Sequence, residues 1–513
     1  MASIKSHGSV AIAALMLIVS SAPARAEWQE AKSKHFIVYA DEPATDLRSF
    51  ADRLERFDQA ARTVRGMTDP PLTDSNRLTI FVVKNQSAIE QMAGYGAAGF
   101  YLARASGSLA FVPKKAGSKS DKFDLDAESI FFHEYAHHLQ LQYADLALPV
   151  WVSEGFAEFF APTELRDDGS VLIGVMPAYR ARALFAYNDL TIEEMLGAGP
   201  KFSGTEFVET YGRGWLLTHY LTFNRARHGQ LDRYVDAIQK GTQPLVAARL
   251  AFGDLKQLNS ELYHYLRAKK LPHLVLSGAQ LSTGAIGVRP LTDGEAAILP
   301  VYMRSRSGAG KKSARKVVAE AGKIAGSFPR DAFVQTALAV AAFDVEDYAA
   351  AEAAADRALA IDSGFYRALV YKGRARMELA RKAPSGANWS EIRSWFLRAN
   401  KIDAEAAEPL MQYYNTYLAA GARPTKNAVD GLLYSLTIAP QDAKLRLIAV
   451  RQLLIDGRVP DAKRYFSPLA FEPHAGKEWR EASVKVMAAL IANDRSGAIA
   501  RLDEAENISK DKD

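Results

Sequence analysis

The residues of this chain best suited to chemistry are His133, Glu134 and His137, followed further on by Glu154 and Glu158. The run His133-Glu134-Tyr135-Ala136-His137 sets two imidazoles four positions apart. On a helix, positions i and i+4 lie one above the other on the same face, so both rings can reach one metal ion. Glu134 stands about a third of a turn around, near enough to reach a water on that ion without occupying the ion itself. Zinc held by two histidines and one carboxylate keeps a position open for such a water. The ion lowers the water's pKa, and Glu134 takes its proton as it attacks a carbonyl. The third ligand must come back from a second helix. Glu154, in Trp151-Val152-Ser153-Glu154-Gly155-Phe156-Ala157-Glu158, lies sixteen intervening residues beyond His137, which suits a helix–loop–helix return. Glu154 and Glu158 share a face, so one can bind the metal while the other accepts the outer N–H of a ligating histidine. The competing reading is a histidine pair packed in the core without metal.

Other residues carry less. The chain has no cysteine, which excludes thiolate zinc sites, cysteine nucleophiles and disulfides. His138 points about 100° away from His137 and suits packing, not ligation. His219 suits a surface or core role, and His35 and His228 stand in no constellation. The glycine-rich stretch Gly94 to Gly99 lacks a Gly-Lys-Ser/Thr and gives no support for phosphate binding.

The segments HEYAHH and WVSEGFAEF resemble those of the gluzincin peptidases of the MA clan, especially the aminopeptidase N type, whose His-Glu-x-x-His is followed by a Glu in W-L-x-E-G-F-A. The resemblance implies that His133, His137 and Glu154 bind zinc, that Glu134 is the general base, and that Glu158 is the acid behind the ligands. Tyr211-Gly212-Arg213-Gly214-Trp215 is similar to a further segment of that family. There a tyrosine hydroxyl stabilises the oxyanion, which implies that role for Tyr211; the bland alternative is a core tyrosine with its hydroxyl on a backbone carbonyl. No Gly-x-Met-Glu-Asn segment is present, so aminopeptidase specificity is not implied. The motifs cover about 125–220, and a weaker likeness in layout covers 27–270.

The elements that must position these groups are legible in outline. Residues 1–26 read as a secretory signal, with the apolar run Val10 to Val19 and cleavage after Ala26. Residues 34–40 and 78–83 predict strands. Asp46 to Arg65 predicts a helix burying Phe50, Leu54, Phe57 and Ala61. Residues 93–113 predict a hairpin or two, and the resemblance to that family implies Ser108 to Val112 as the sheet edge beside the cleft. A helix over 126–143 carries the histidines, and a second begins near Ser153 as its N-cap. A short hairpin turns at Asp168-Gly169. The pattern is helical from Thr191 to Lys269, and Pro272, Gly278, Gly284, Gly287 and Pro290 mark 271–292 as a linker. Beyond it, repeat ends near Pro329, Ser363, Ala404, Pro440 and Pro473 are spaced 34, 41, 36 and 33 residues, close to the ~34 of tetratricopeptide repeats.

The fold expected is thus an α+β zincin-like catalytic domain (27–270, its α+β part ending at about 115) followed by an all-α tetratricopeptide-like solenoid (293–513). Its function is expected to be that of an exported, periplasmic or secreted, zinc-dependent peptidase with Zn2+ as cofactor. The third residue set beside zinc and base, Tyr211, completes its catalytic groups. Its partners would be a peptide or protein substrate and a protein partner on the repeat surface. The alternative is a scaffold or binding protein acting through its repeats. A third reading has the same site cleaving a non-peptide amide or ester. The net charge of +5, two units of which (Lys5 and Arg25) leave with the leader, points to no nucleic-acid role. No segment after the leader is long and apolar enough to span a membrane.

Overall fold

The computed structural model describes residues 28–94, 99–114, 125–143, 148–187, 189–197, 205–308, 310–470 and 476–510. The leader 1–26, part of the glycine-rich stretch and Pro473 lie outside the described residues.

The first half is α/β. Strands β1 (Trp28–Lys32) and β2 (Phe36–Asp41) precede helix α1 (Ala44–Arg65); β3 (Leu78–Val83), α2 (Gln86–Ala93), β4 (Phe100–Leu102) and β5 (Leu109–Pro113) follow. They form a six-stranded sheet in the order β4-β5-β3-β2-β1-β9, where β9 is Gly287–Pro290. The β2–β3 and β3–β5 pairs are parallel and the others antiparallel. Strands buried on both faces read as continuous apolar runs, as LTIFVV does in β3. Ile80 faces α1 and the histidine helix, whereas Phe81 faces the helical second half. Two expectations are corrected here. Ser108 to Val112 is not a sheet edge, because β4 pairs along it and takes the edge position. The stretch 271–292 does not simply link two halves: β8 (Leu274–Leu276) and β9 lie within it, β8 pairing with β7 (Val171–Ile173), itself paired with β6 (Glu164–Leu165), and β9 pairing with β1. Three- and four-residue strands among glycines and prolines gain their order from these long-range pairings, which no local pattern signals.

Helices α3 (Ala127–Tyr143) and α4 (Val150–Phe160) carry the histidine motif and the two acids. Beyond them come α5 (Ala181–Phe185), α6 (Ile192–Gly197), α7 (Thr205–Phe223), α8 (Gln230–Gln239), α9 (Pro244–Phe252) and α10 (Leu255–Leu266). Every residue of α4 is buried. Ser153, expected as an N-cap, lies a turn inside α4, whose N-cap is Pro149; the Pro-Val-Trp run starts the helix earlier.

Gly155 and Gly214 of the motifs are explained by the crossing of α4 and α7. A Cβ at Gly155 would stand 2.5 Å from the Gly214 carbonyl oxygen, and one at Gly214 2.9 Å from that of Trp151. Backbone cannot give way as a flexible side chain can. Gly155→Ala is therefore expected to destabilise the chain by roughly 3 kcal/mol, the upper end for overpacking. Chemical denaturation checks this; an unchanged midpoint would show that the helices cross more loosely.

The second half is helical throughout its described residues: α11 (Asp293–Arg306), α12 (Lys311–Ser327), α13 (Ala332–Asp344), α14 (Tyr348–Ile361), α15 (Tyr366–Lys382), α16 (Trp389–Ile402), α17 (Ala407–Ala419), α18 (Lys426–Ile438), α19 (Ala443–Ile455), α20 (Val459–Ala470), α21 (Lys477–Ile491) and α22 (Arg495–Lys510). Pro329, Ser363, Ala404 and Pro440 fall in the turns before α13, α15, α17 and α19. Asp331, Asp347, Asn388, Thr425 and Asp442 cap helices through their side chains. Phe81 and Phe111 of the sheet share a core with Ile298, Leu299, Val334 and Val340, so the two halves are packed together. Among the described residues no helix is long and apolar enough to cross a membrane.

Candidate metal centre

Helix α3 is fixed from beneath. Phe132 stacks on Phe57 of α1 with ring centres 3.8 Å apart, and the Tyr135 ring lies 5.1 Å from that of Phe36. These contacts occupy one face and leave His133, Glu134 and His137 on the side toward α4 and α7. Helix α4, apolar nearly all round, carries Glu154 fully buried. A carboxylate taken out of water must be paired. Its Oε2 lies 3.4 Å from His133 Nε2 and 3.6 Å from His137 Nε2, and the two Nε2 atoms are 3.2 Å apart.

Those three separations test the fit of a metal. Ligand atoms about 2.0–2.1 Å from a tetrahedral zinc ion stand about 3.3–3.4 Å from one another. The triangle of two imidazole nitrogens and one carboxylate oxygen has that size, and its donor set is one that zinc accepts. The residues present fit the ion.

Charge is matched around the triangle. Burial alone would push the Glu154 carboxyl up, but the His137 and His133 rings hold it far below the ordinary carboxylate range. Burial likewise works against a charge on His133, and its bonds to Glu154 and Glu158 outweigh that, raising it to about 10. Glu158 Oε1 lies 3.3 Å from His133 Nδ1, the ring nitrogen turned away from the triangle. Burial pushes Glu158 up, and His133 and Arg180 bring it down to about 2. Of the two acids left open by spacing, Glu154 faces the two Nε2 atoms and Glu158 the His133 Nδ1.

Sequence reasoning missed three partners. Arg180 donates to Glu158 Oε1 through Nη2 (2.6 Å) and Nε (3.2 Å), and the Tyr179 hydroxyl donates to Oε2 (3.1 Å). Both come from a short non-α turn with no periodicity to mark it. Ser153 Oγ lies 3.4 Å from His137 Nδ1 and donates to Gln140 Oε1 at 2.7 Å, so the serine assigned to a cap sets its hydroxyl beside the His137 ring instead.

Tyr211, on α7, stacks on the His133 ring at 5.8 Å, with the Arg180 guanidinium 4.6 Å from its ring centre. Burial first, then the Glu154 charge, pushes its phenol far above the ordinary range, so the hydroxyl remains a donor at any physiological pH. His133, Glu134, Arg180 and Tyr211 line a cavity of about 280 Å³. A larger cavity, about 420 Å³, lies between α1 and the sheet and holds none of them.

His138 is buried with Nδ1 2.6 Å from the Tyr101 hydroxyl, and burial lowers it to about 3. His219 is a core residue whose Nε2 lies 2.9 Å from the Gly174 carbonyl oxygen. His35 corrects the expectation that it belongs to no constellation: its Nδ1 lies 2.6 Å from Glu55 and 3.2 Å from Asp58. Asp58 already accepts from Arg62 Nε (2.7 Å) and the Tyr135 hydroxyl (2.6 Å), so this cluster is an ion-pair network beneath α3. Burial lowers His35, but Glu55 and Asp58 outweigh it and leave the ring raised above its ordinary value. A raised folded-state pKa stabilises fully below the unfolded value of ~6.5 and is lost as pH rises through the folded one. The stability difference between wild type and His35→Asn is accordingly expected to be larger at pH 6 than at pH 9. Denaturation midpoints at both pH values check this, and a difference that grows with pH would contradict it.

Comparison with known proteins places little beside this geometry. Residues 128–245 match a family model described as "Protein of unknown function (DUF1570)". No curated protein matches the chain. A solved structure described as "Functional Characterization of Pseudomonas Aeruginosa pilF" is 18% identical over 41% of this chain and 90% of its own, with a TM-score of 0.32, an overlap that carries no conclusion. The assignment to the gluzincin peptidases is thereby corrected: the matching family is one of unknown function, and no peptidase family matches. Two short segments cannot fix ancestry, because any helix can present histidines at i and i+4.

Proposed function

We propose that this chain is a zinc-dependent peptidase whose ligands are His133, His137 and Glu154 and whose general base is Glu134. The observation that carries the reading is the triangle of Nε2, Nε2 and Oε2 atoms, 3.2–3.6 Å on a side, sunk beside a cavity lined by Glu134 and Tyr211. Zinc, when bound, supplies Lewis acidity that polarises a carbonyl and acidifies a water. Glu134 accepts the proton of the attacking water and passes it to the leaving amine. Tyr211, kept protonated, donates to the oxygen on which negative charge develops. Glu158, itself clamped by Arg180 and Tyr179, holds the His133 ring in the orientation that turns Nε2 inward.

On this reading the α/β half is a zincin-like catalytic fold, and the helical half is a tetratricopeptide-like solenoid that presents protein substrates to it. The leader makes the chain an exported protein, with a mature N-terminus at Glu27 that N-terminal sequencing of the secreted or periplasmic fraction would identify. The direct test is cleavage of an unfolded protein mixture by the purified chain. Activity that disappears with a zinc chelator and returns with one equivalent of zinc supports the reading. Cleavage indifferent to both, or none from zinc-loaded protein, overturns it.

A further inference from the structure

The β4–β5 turn is gripped by the helical half. Ala105 is buried in a core with Ala407, Met411 and Leu445, and its N–H donates to Asp442 Oδ2 at 2.6 Å. Arg367 Nη2 donates to the Ser106 carbonyl oxygen at 3.2 Å, and Arg104 Nη1 to that of Arg306 at 2.6 Å. From this grip a line of polar contacts runs to the histidine helix. Gln441 Nε2 donates to Ser108 Oγ at 3.1 Å. The Tyr101 hydroxyl donates to the same oxygen at 3.1 Å and lies 2.6 Å from His138 Nδ1. The Tyr135 ring also packs on the His138 ring, with centres 5.4 Å apart, and His138 adjoins the ligand His137. Ser108 and His138 are both buried, so water cannot replace a lost partner.

We propose that Gln441, Ser108 and Tyr101 are positioning residues that couple the helical half to the metal centre. The helical half would then be part of what holds the site in shape, not an appended binding module. The proposal rests on the zinc-peptidase reading. The line is short and its members are packed, so moving the α18–α19 turn moves His138, and with it the pitch of the helix bearing His133, Glu134 and His137.

The test uses the full chain with Gln441→Ala, Tyr101→Phe and the double variant, and with Asn76→Ala as control. Asn76 bonds the Glu405 carbonyl oxygen at the same interface but stands outside the line. Zinc affinity by chelator competition, kcat and KM are measured for each. Groups directly behind metal ligands change affinity about 10–100-fold. One step further out, each single variant should weaken zinc binding about three- to tenfold and lower kcat with KM unchanged. The double variant should be no worse than the worse single one, as members of one chain of contacts are non-additive. Wild-type zinc binding in both single variants, or an equal loss in Asn76→Ala, overturns the coupling while leaving the peptidase reading intact. A wild-type chain that binds no zinc overturns that reading and the coupling with it.

Discussion

Glu134→Gln should lower kcat for peptide hydrolysis by about 10³-fold, within the 10²–10⁴-fold that a positioned base contributes, and leave zinc content at the wild-type level. The reasons are local. Glu134 lines the cavity, whereas the ligand triangle is built from His133, His137 and Glu154. Glutamine keeps the size and the hydrogen-bonding reach of the side chain but cannot accept a proton. A pure loss of base function therefore appears in kcat, with KM little changed. Turnover and elemental zinc, measured on the same preparation, separate the two effects. A variant that turns over like wild type would remove Glu134 from the chemistry. One that loses its zinc would make it a support of the site, not the base.

The second large effect is on the ion itself. Glu154→Ala should reduce zinc affinity by more than the 10–100-fold that losing an outer partner costs, on the order of 10³-fold. Glu154 supplies the only carboxylate oxygen of the triangle. Its removal leaves two imidazoles, and Glu158 cannot substitute, because it faces His133 Nδ1 and is held there by Arg180 and Tyr179. Circular dichroism would confirm that α4 still folds, as its burial rests on Trp151, Phe156, Phe159 and Phe160. A folded Glu154→Ala chain that keeps zinc at wild-type affinity would place the ion elsewhere.

How far the sequence could be read follows from how local each signal is. The pairs His133–His137 and Glu154–Glu158 are i, i+4, so spacing alone put each pair on one helical face, and the approach of α3 to α4 brings the pairs together. The run LTIFVV read as a strand because β-branched and aromatic residues fill it, and in the fold it is largely buried. Arg180 and Tyr179 were invisible for the opposite reason: they reach Glu158 from 22 and 21 residues away through a turn without pattern. The bond of Ser153 to Gln140 crosses between helices, so a local rule took it for a cap. His35 meets Glu55 and Asp58 only because β2 lies against α1. Least legible was the packing of the helical half on the far face of the sheet. Phe81 and Phe111 announce burial but not the identity of what buries them.

The proposed chemistry requires one metal ion between the two helices α3 and α4. X-ray absorption at the zinc edge, on purified full-length protein loaded with one equivalent of zinc, addresses this most directly. The expected spectrum is that of an ion with two imidazole nitrogens and a carboxylate oxygen at about 2.0–2.1 Å plus one exchangeable oxygen ligand, changed by His133→Ala and by His137→Ala. A chain that retains no zinc, or whose zinc spectrum in both variants is that of the wild type, would contradict it.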